Sequence, residues 1–124
     1  MKKYLFFLSA AILASSFVAL SFTDVVSALK TGNAKEVAQY FDSTIEITLP
    51  GKSDSYRKSK AEEMLRDFFT NNPVKGFEVI HKSENAGSQY CIGNLITSNG
   101  KYRTTIYMKQ KGKKQLIQEL RFEK

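Results

Sequence analysis

Tryptophan is absent from the 124 residues, cysteine and histidine occur once each, and proline occurs twice. One cysteine, Cys91, has no intramolecular disulfide partner, and it excludes every cysteine-rich zinc module. One histidine, His81, excludes multi-histidine metal motifs and leaves a single imidazole as a candidate base. No metal or cofactor is therefore expected. Internal repeats, low-complexity segments and Gly/Ser/Pro-rich linkers are also missing, so nothing divides the chain into separate folding units. At 42% hydrophobic and 25% charged residues the composition is that of an ordinary globular domain, not of a disordered or collagen-like chain.

Acidic residues are missing from the first 23 positions. Met1-Lys2-Lys3 gives a positive start, Tyr4 to Leu20 is apolar apart from Ser9, Ser15 and Ser16, and Ala19-Leu20-Ser21 offers small residues for cleavage after Ser21. These features together read as a secretory signal peptide over residues 1–21, followed by a single domain over 22–124. The alternative is an anchor kept in place, since the apolar stretch approaches the ~20 residues that span a bilayer. Either way the expected address is exported, periplasmic or secreted.

Beyond Ser21 the hydrophobic period changes twice. Val25, Val26 and Leu29 follow helical spacing after a Thr23 cap, and Gly32 ends that helix. Asn33 with Glu36 opens a second short helix carrying Val37, Tyr40 and Phe41. Ile45, Ile47 and Leu49 alternate with polar residues as a half-buried strand, broken at Pro50-Gly51, and a short returning strand fits the polar stretch that follows. Ser59 and Glu62 form a capping-box pattern before Ala61, Met64, Leu65, Phe68 and Phe69, the clearest helical stripe in the chain, which stops at Asn71-Asn72-Pro73. From Val74 the period is two, and strands are expected near 76–83, 89–98, 101–110 and 114–123. Their short turns, Asn99-Gly100 foremost, force antiparallel neighbours. The fold class is α+β, with three N-terminal helices on a curved, mainly antiparallel sheet in the order helix-helix-strand-helix-four-strand meander.

This layout resembles the nuclear transport factor 2-like, cystatin-like superfamily. The resemblance rests on Gln39-Tyr40-Phe41-Asp42, on the strand Ile45–Leu49 closing at Pro50, and on Ile117-Gln118-Glu119-Leu120-Arg121. The chain looks most like an exported bacterial family of unknown function. The resemblance implies a cone between helices and sheet. In steroid-isomerase-like relatives it also implies a carboxylate directly before the proline that ends the first strand. Leu49 stands there and accepts no proton, while Glu46 alternates onto the opposite face from Ile45 and Ile47. The first reading is therefore a non-catalytic domain binding a small apolar ligand or a protein partner. The alternative is an isomerase or hydro-lyase using His81 with a tyrosine or Glu46.

The expected cone lining is His81, in step with Phe77 and Val79; Tyr102, flanking one hairpin with Tyr90 on the same side; Gln118; Phe69; and Tyr40. On the last two strands the even positions, Tyr102 to Met108 and Leu116 to Phe122, are assigned to the concave face, which makes Gln118 an inward amide in need of a partner. The odd positions form an outward set that could support a homodimer. Cys91 reads as core packing.

The formal charge of +7 is uneven. Residues 22–100 carry nine basic and ten acidic side chains, whereas 101–124 carry eight and two. The basicity belongs to the last hairpin, where Lys109 to Lys114 contains no aromatic residue for base stacking. No nucleic-acid partner is expected, and membrane contact is limited to the signal segment or to weak attraction at this basic hairpin.

Overall fold

Helical spacing at the start of the domain places Val25, Ala28 and Leu29 on one buried stripe, and the segment 22–31 forms the first helix, α1. The computed structural model of the chain describes residues 22–124; the signal segment read in the sequence lies outside them. Phe22 is already helical, so Thr23 lies within the described helix and not before it. A tight turn at Gly32 leads to α2, Ala34–Ala38, capped by Asn33, whose side chain accepts the Glu36 N–H at 3.1 Å. Five residues exhaust this helix; Tyr40 lies in the following turn and Phe41 begins a strand.

The strand β1, Phe41–Leu49, turns at Pro50-Gly51 into β2, Lys52–Arg57, so the returning strand is a full member of the sheet. The third helix, α3, Lys58–Asn71, follows this hairpin, so only two helices lie at the N-terminal end of the domain instead of three. Its start also differs from the expected capping box. The strand runs directly into the helix through an extended Arg57, which places Ser59 within the first turn, and no side chain caps the end. The stripe itself forms as read: Ala61, Leu65, Phe68 and Phe69 are buried and Met64 is half-buried.

The remaining strands are β3, Val74–Asn85; β4, Ser88–Thr97; β5, Gly100–Lys111; and β6, Lys114–Glu123. Gly87 (φ +80°) and Gly112 (φ +63°) take left-handed conformations in two of their turns, where a side chain would be strained. All six strands form one sheet in the order β2-β1-β6-β5-β4-β3. Every neighbouring pair is antiparallel except β1 with β6, which run parallel. That parallel pair seats the first hairpin beside the end of the meander, and bulges in β1, β3 and β6 bend the sheet around the helices.

The concave face is filled with side chains. Phe68 stacks at 4.9 Å from Phe122 and meets Tyr102 edge-on at 5.2 Å, while Phe69 meets Phe122 edge-on at 6.1 Å. Leu65, Leu95, Ile106, Met108 and Leu120 belong to the same core and have essentially no exposure. Gly93 admits the Phe77 ring to this layer: a methyl group there would lie 2.4 Å from the Glu78 carbonyl oxygen and 2.5 Å from the Phe77 ring. Neither the backbone atom nor the packed ring can move away cheaply. Gly93→Ala is accordingly expected to destabilise the domain by about 1–3 kcal/mol through overpacking, read as a lower denaturant midpoint. An unchanged midpoint would show that the β3–β4 pair is looser than described.

Candidate functional site

Strand alternation decides which side chains reach the concave face, and two bulges redirect the residues on which the sequence reading relied. In β3, Val79 pairs with Gly93 but His81 pairs with Ile92, so Ile80 is an extra residue and the alternation flips. Lys82, not His81, then lies opposite the buried Cys91, and His81 is exposed on the outer face. This corrects its expected step with Phe77 and Val79. In β6 the shift falls between the pairs Tyr107–Glu119 and Met108–Ile117, which makes Gln118 the extra residue. Leu116 is thereby turned off the concave face, and Ile117 takes the buried position.

Gln118 does find a partner, but outside the cone. Its Nε2 donates to Asp42 Oδ2 at 2.9 Å, and Lys111 Nζ reaches the same oxygen at 2.5 Å. Bonds from Lys111 and Gln118 hold the buried Asp42 carboxyl down at about 2, well below its ordinary value. The group ties the β5–β6 hairpin to the start of β1 and belongs to the fold. Tyr40 donates to Asp24 Oδ2 at 3.2 Å, and burial, then the Asp24 charge, pushes its phenol up. Tyr90 is on the outer face, its ring 6.3 Å from that of Tyr107, and so does not share a side with Tyr102. Glu46 is exposed next to Glu119, whose carboxyl is raised by burial and then by the Glu46 charge. Cys91 is fully buried and its thiol is pushed up to about 11 by that burial, which leaves it unreactive.

Of the five candidate lining residues, Tyr102 and Phe69 border clefts, and the clefts are different ones. Phe69 edges a 450 Å³ groove between the α1–α2 turn and α3, where the other side chains are mainly polar and Arg66 is held by Glu62. Tyr102 lines a 330 Å³ cleft at the mouth of the cone. Leu49, Pro50, Met64 and Phe68 supply the apolar part of this cleft, and Asp67, Asn71, Asn72 and Tyr102 the polar part.

The polar groups are fixed by the end of α3. Proline at position 73 disfavours helical backbone at Asn72, which leaves the helix at φ −130°, ψ 77°. Both the Asn72 N–H and its Nδ2 then cap the Phe68 carbonyl, at 2.9 and 3.0 Å. Its Oδ1 accepts from Tyr102 Oη and from Asn99 Nδ2, each at 2.9 Å, and Asn99 Nδ2 also reaches the Asn71 carbonyl at 2.9 Å. Lys124 closes the network by donating to the Asn99 carbonyl at 2.7 Å, with its ammonium 5.2 Å above the Tyr102 ring. Asn72 and Asn99 were legible in the sequence only as a helix stop and a turn. Their common role depends on the β4–β5 turn docking against the end of α3.

Chemically the cleft offers an apolar wall and fixed polar groups. Tyr102 Oη spends its proton on Asn72 and keeps its oxygen as an acceptor. His81 and Glu46, the residues of the isomerase alternative, face outward away from this cleft. Among the described residues no group of three or more His, Cys, Asp or Glu side chains converges as a metal site.

The family model for a domain of unknown function, DUF4783, matches residues 22–123. The chain belongs to the DUF4783 family. Crystal structures of DUF4783 proteins from Bacteroides ovatus (33% identity, TM-score 0.79) and Bacteroides fragilis (33%, 0.77) each match 82% of this chain, and 92% and 95% of their own. A third, from Bacteroides uniformis, is 30% identical with a TM-score of 0.79, over 82% of this chain and 94% of its own. A nuclear transport factor 2-like protein of unknown function from Cytophaga hutchinsonii matches 82% of this chain and 83% of its own at 10% identity, with a TM-score of 0.57, which shows the shared fold. No curated protein matches this DUF4783 chain in sequence.

The Asp42 cluster of this DUF4783 domain sets an acid limit. Its carboxyl is depressed in the folded state from 3.8 to about 2, so the stabilisation is complete above about pH 4 and is lost as pH falls through about 2. Asp42→Asn is expected to lower stability at neutral pH and to flatten the fall in unfolding midpoint between about pH 4 and 2. An acid profile identical to that of the unsubstituted protein would contradict the assignment.

Proposed function

We propose that this chain is an exported, non-catalytic domain that binds a small, largely apolar ligand at the mouth of its cone. One observation carries the reading: the cleft joins an apolar wall to two buried polar side chains, Asn72 and Tyr102, whose orientation is locked by hydrogen bonds. Ligand sites typically combine these features, since apolar surface supplies affinity and a few fixed polar groups supply orientation. Export is supported by the charged start, apolar middle and small exit residues of the first 21 positions.

A second reading, a protein partner, is favoured by the exposed apolar side chains near the β3 bulge. Ile80 is 61% exposed, Val79 39% and Tyr90 38%. These residues lie on or beside an edge strand, well separated in the sheet from β1 and its turn at the mouth cleft.

Thermal unfolding in the presence of aromatic, sterol and fatty-acyl compounds separates the two readings. A ligand at 100 times its dissociation constant adds about 2.7 kcal/mol, a rise of several degrees for a domain of this size. The expected result is such a rise with at least one class, abolished by Met64→Lys, which places a charge on the half-buried wall of the cleft. No shift with any class would leave the partner reading in its place.

A further inference from the structure

We infer that the ligand of the mouth cleft is a small organic cation with an apolar body, an aryl- or alkylamine; the inference rests on the binding role proposed for that cleft. Asp67 is the one charged side chain among the lining residues, and among the described residues it makes no ion pair. Thus an exposed negative charge stands at the rim of a largely apolar cleft, and the cation described against its lining is the Lys124 ammonium over the Tyr102 ring.

The backbone adds to that charge. Helix α3 runs fourteen residues and ends at Asn71, on the cleft, with no basic residue in its last turn. A helix C-terminus carries roughly half a negative charge, and cations next to it are favoured. The Tyr102 hydroxyl oxygen adds an acceptor on the same side, since its proton is committed to Asn72 Oδ1, which already accepts two bonds.

The third observation concerns the aromatic wall. The Tyr102 ring already holds a cation over one face, the Lys124 ammonium at 5.2 Å. Aromatic faces attract cations through their quadrupole, and a ligand cation competes with Lys124 for this ring. Met64, Leu49 and Phe68 then provide the surface for the apolar body of the same ligand. A carboxylate or phosphate ester of equal size would face Asp67 and the helix end with unfavourable charge. An uncharged analogue would gain no attraction from Asp67, which is exposed and stays hydrated.

Phenethylamine, phenethyl alcohol and phenylacetate share one body and differ in charge, so they test the inference directly. Titrations of the purified protein at neutral pH, followed by calorimetry and by amide chemical shifts, should show the amine binding about tenfold more tightly than the alcohol, with the acid weakest. In Asp67→Asn the amine preference should fall to about threefold or less while the affinity for the alcohol is kept. Lys124→Met, which removes the competing ammonium, should tighten amine binding. Equal affinity for amine and alcohol, or a preference that survives Asp67→Asn, would overturn the cation assignment and leave the cleft as an apolar site. Shifts from none of the three compounds at Met64, Phe68, Asn72 and Tyr102 would overturn both the cation assignment and the binding role.

Discussion

The packing of Phe68 on Phe122 and Tyr102 is the contact around which the domain is arranged. It joins α3 to two neighbouring strands, β5 and β6, near the start of the one and the end of the other on the concave face. Each aromatic side chain brings a large apolar surface out of water, and rings at 5–6 Å add edge-to-face attraction to that burial. These rings fill the concave face beneath α3, and the open space lies at the rim beside them. The mouth cleft is the rim beside Phe68 and Tyr102, so the same two rings close the core and wall the site.

The polar half of the site follows from how the helix ends. Asn72 leaves the helix one residue before a proline and satisfies the last-turn carbonyl of Phe68 with both of its N–H groups. A buried amide oxygen left unpaired would cost roughly 1–3 kcal/mol, and here Tyr102 and Asn99 supply the bonds. The orientation of the tyrosine hydroxyl, the docking of the β4–β5 turn and the termination of α3 therefore depend on one another. The Asp42–Lys111–Gln118 cluster does comparable work at another point of the sheet, where β6 meets the parallel strand β1.

Most of this architecture was legible in the sequence. The Ala61–Phe69 stripe, the alternation of the last four strands and the short turns between them specify an α+β domain, and the family and its solved relatives agree. The failures have one physical origin. Alternation identifies a strand's inner face only while the register is unbroken, and a bulge of one residue reverses it. Ile80 and Gln118 are such residues, and nothing in the local composition marks either as extra. Alternation therefore puts His81 and Gln118 on the face opposite to the one they take, whereas Tyr102, on a strand without a bulge opposite β4, keeps to the concave face. The pairing of Asn72 with Asn99 is illegible in the sequence for another reason. They lie far apart in the chain and meet only through a turn-to-helix contact that no periodicity encodes.

The account stands on the claim that the centre of the concave face is closed and that open space is confined to its mouth. Amide and methyl chemical shifts of the labelled protein, recorded against a mixture of small aromatic and aliphatic fragments, test this most directly. The account predicts perturbations clustered at Leu49, Met64, Asp67, Asn72 and Tyr102, with the methyl groups of Leu95, Ile106 and Leu120 unmoved. Perturbation of those core methyls with a silent rim would contradict it, by showing that the interior opens to admit a ligand.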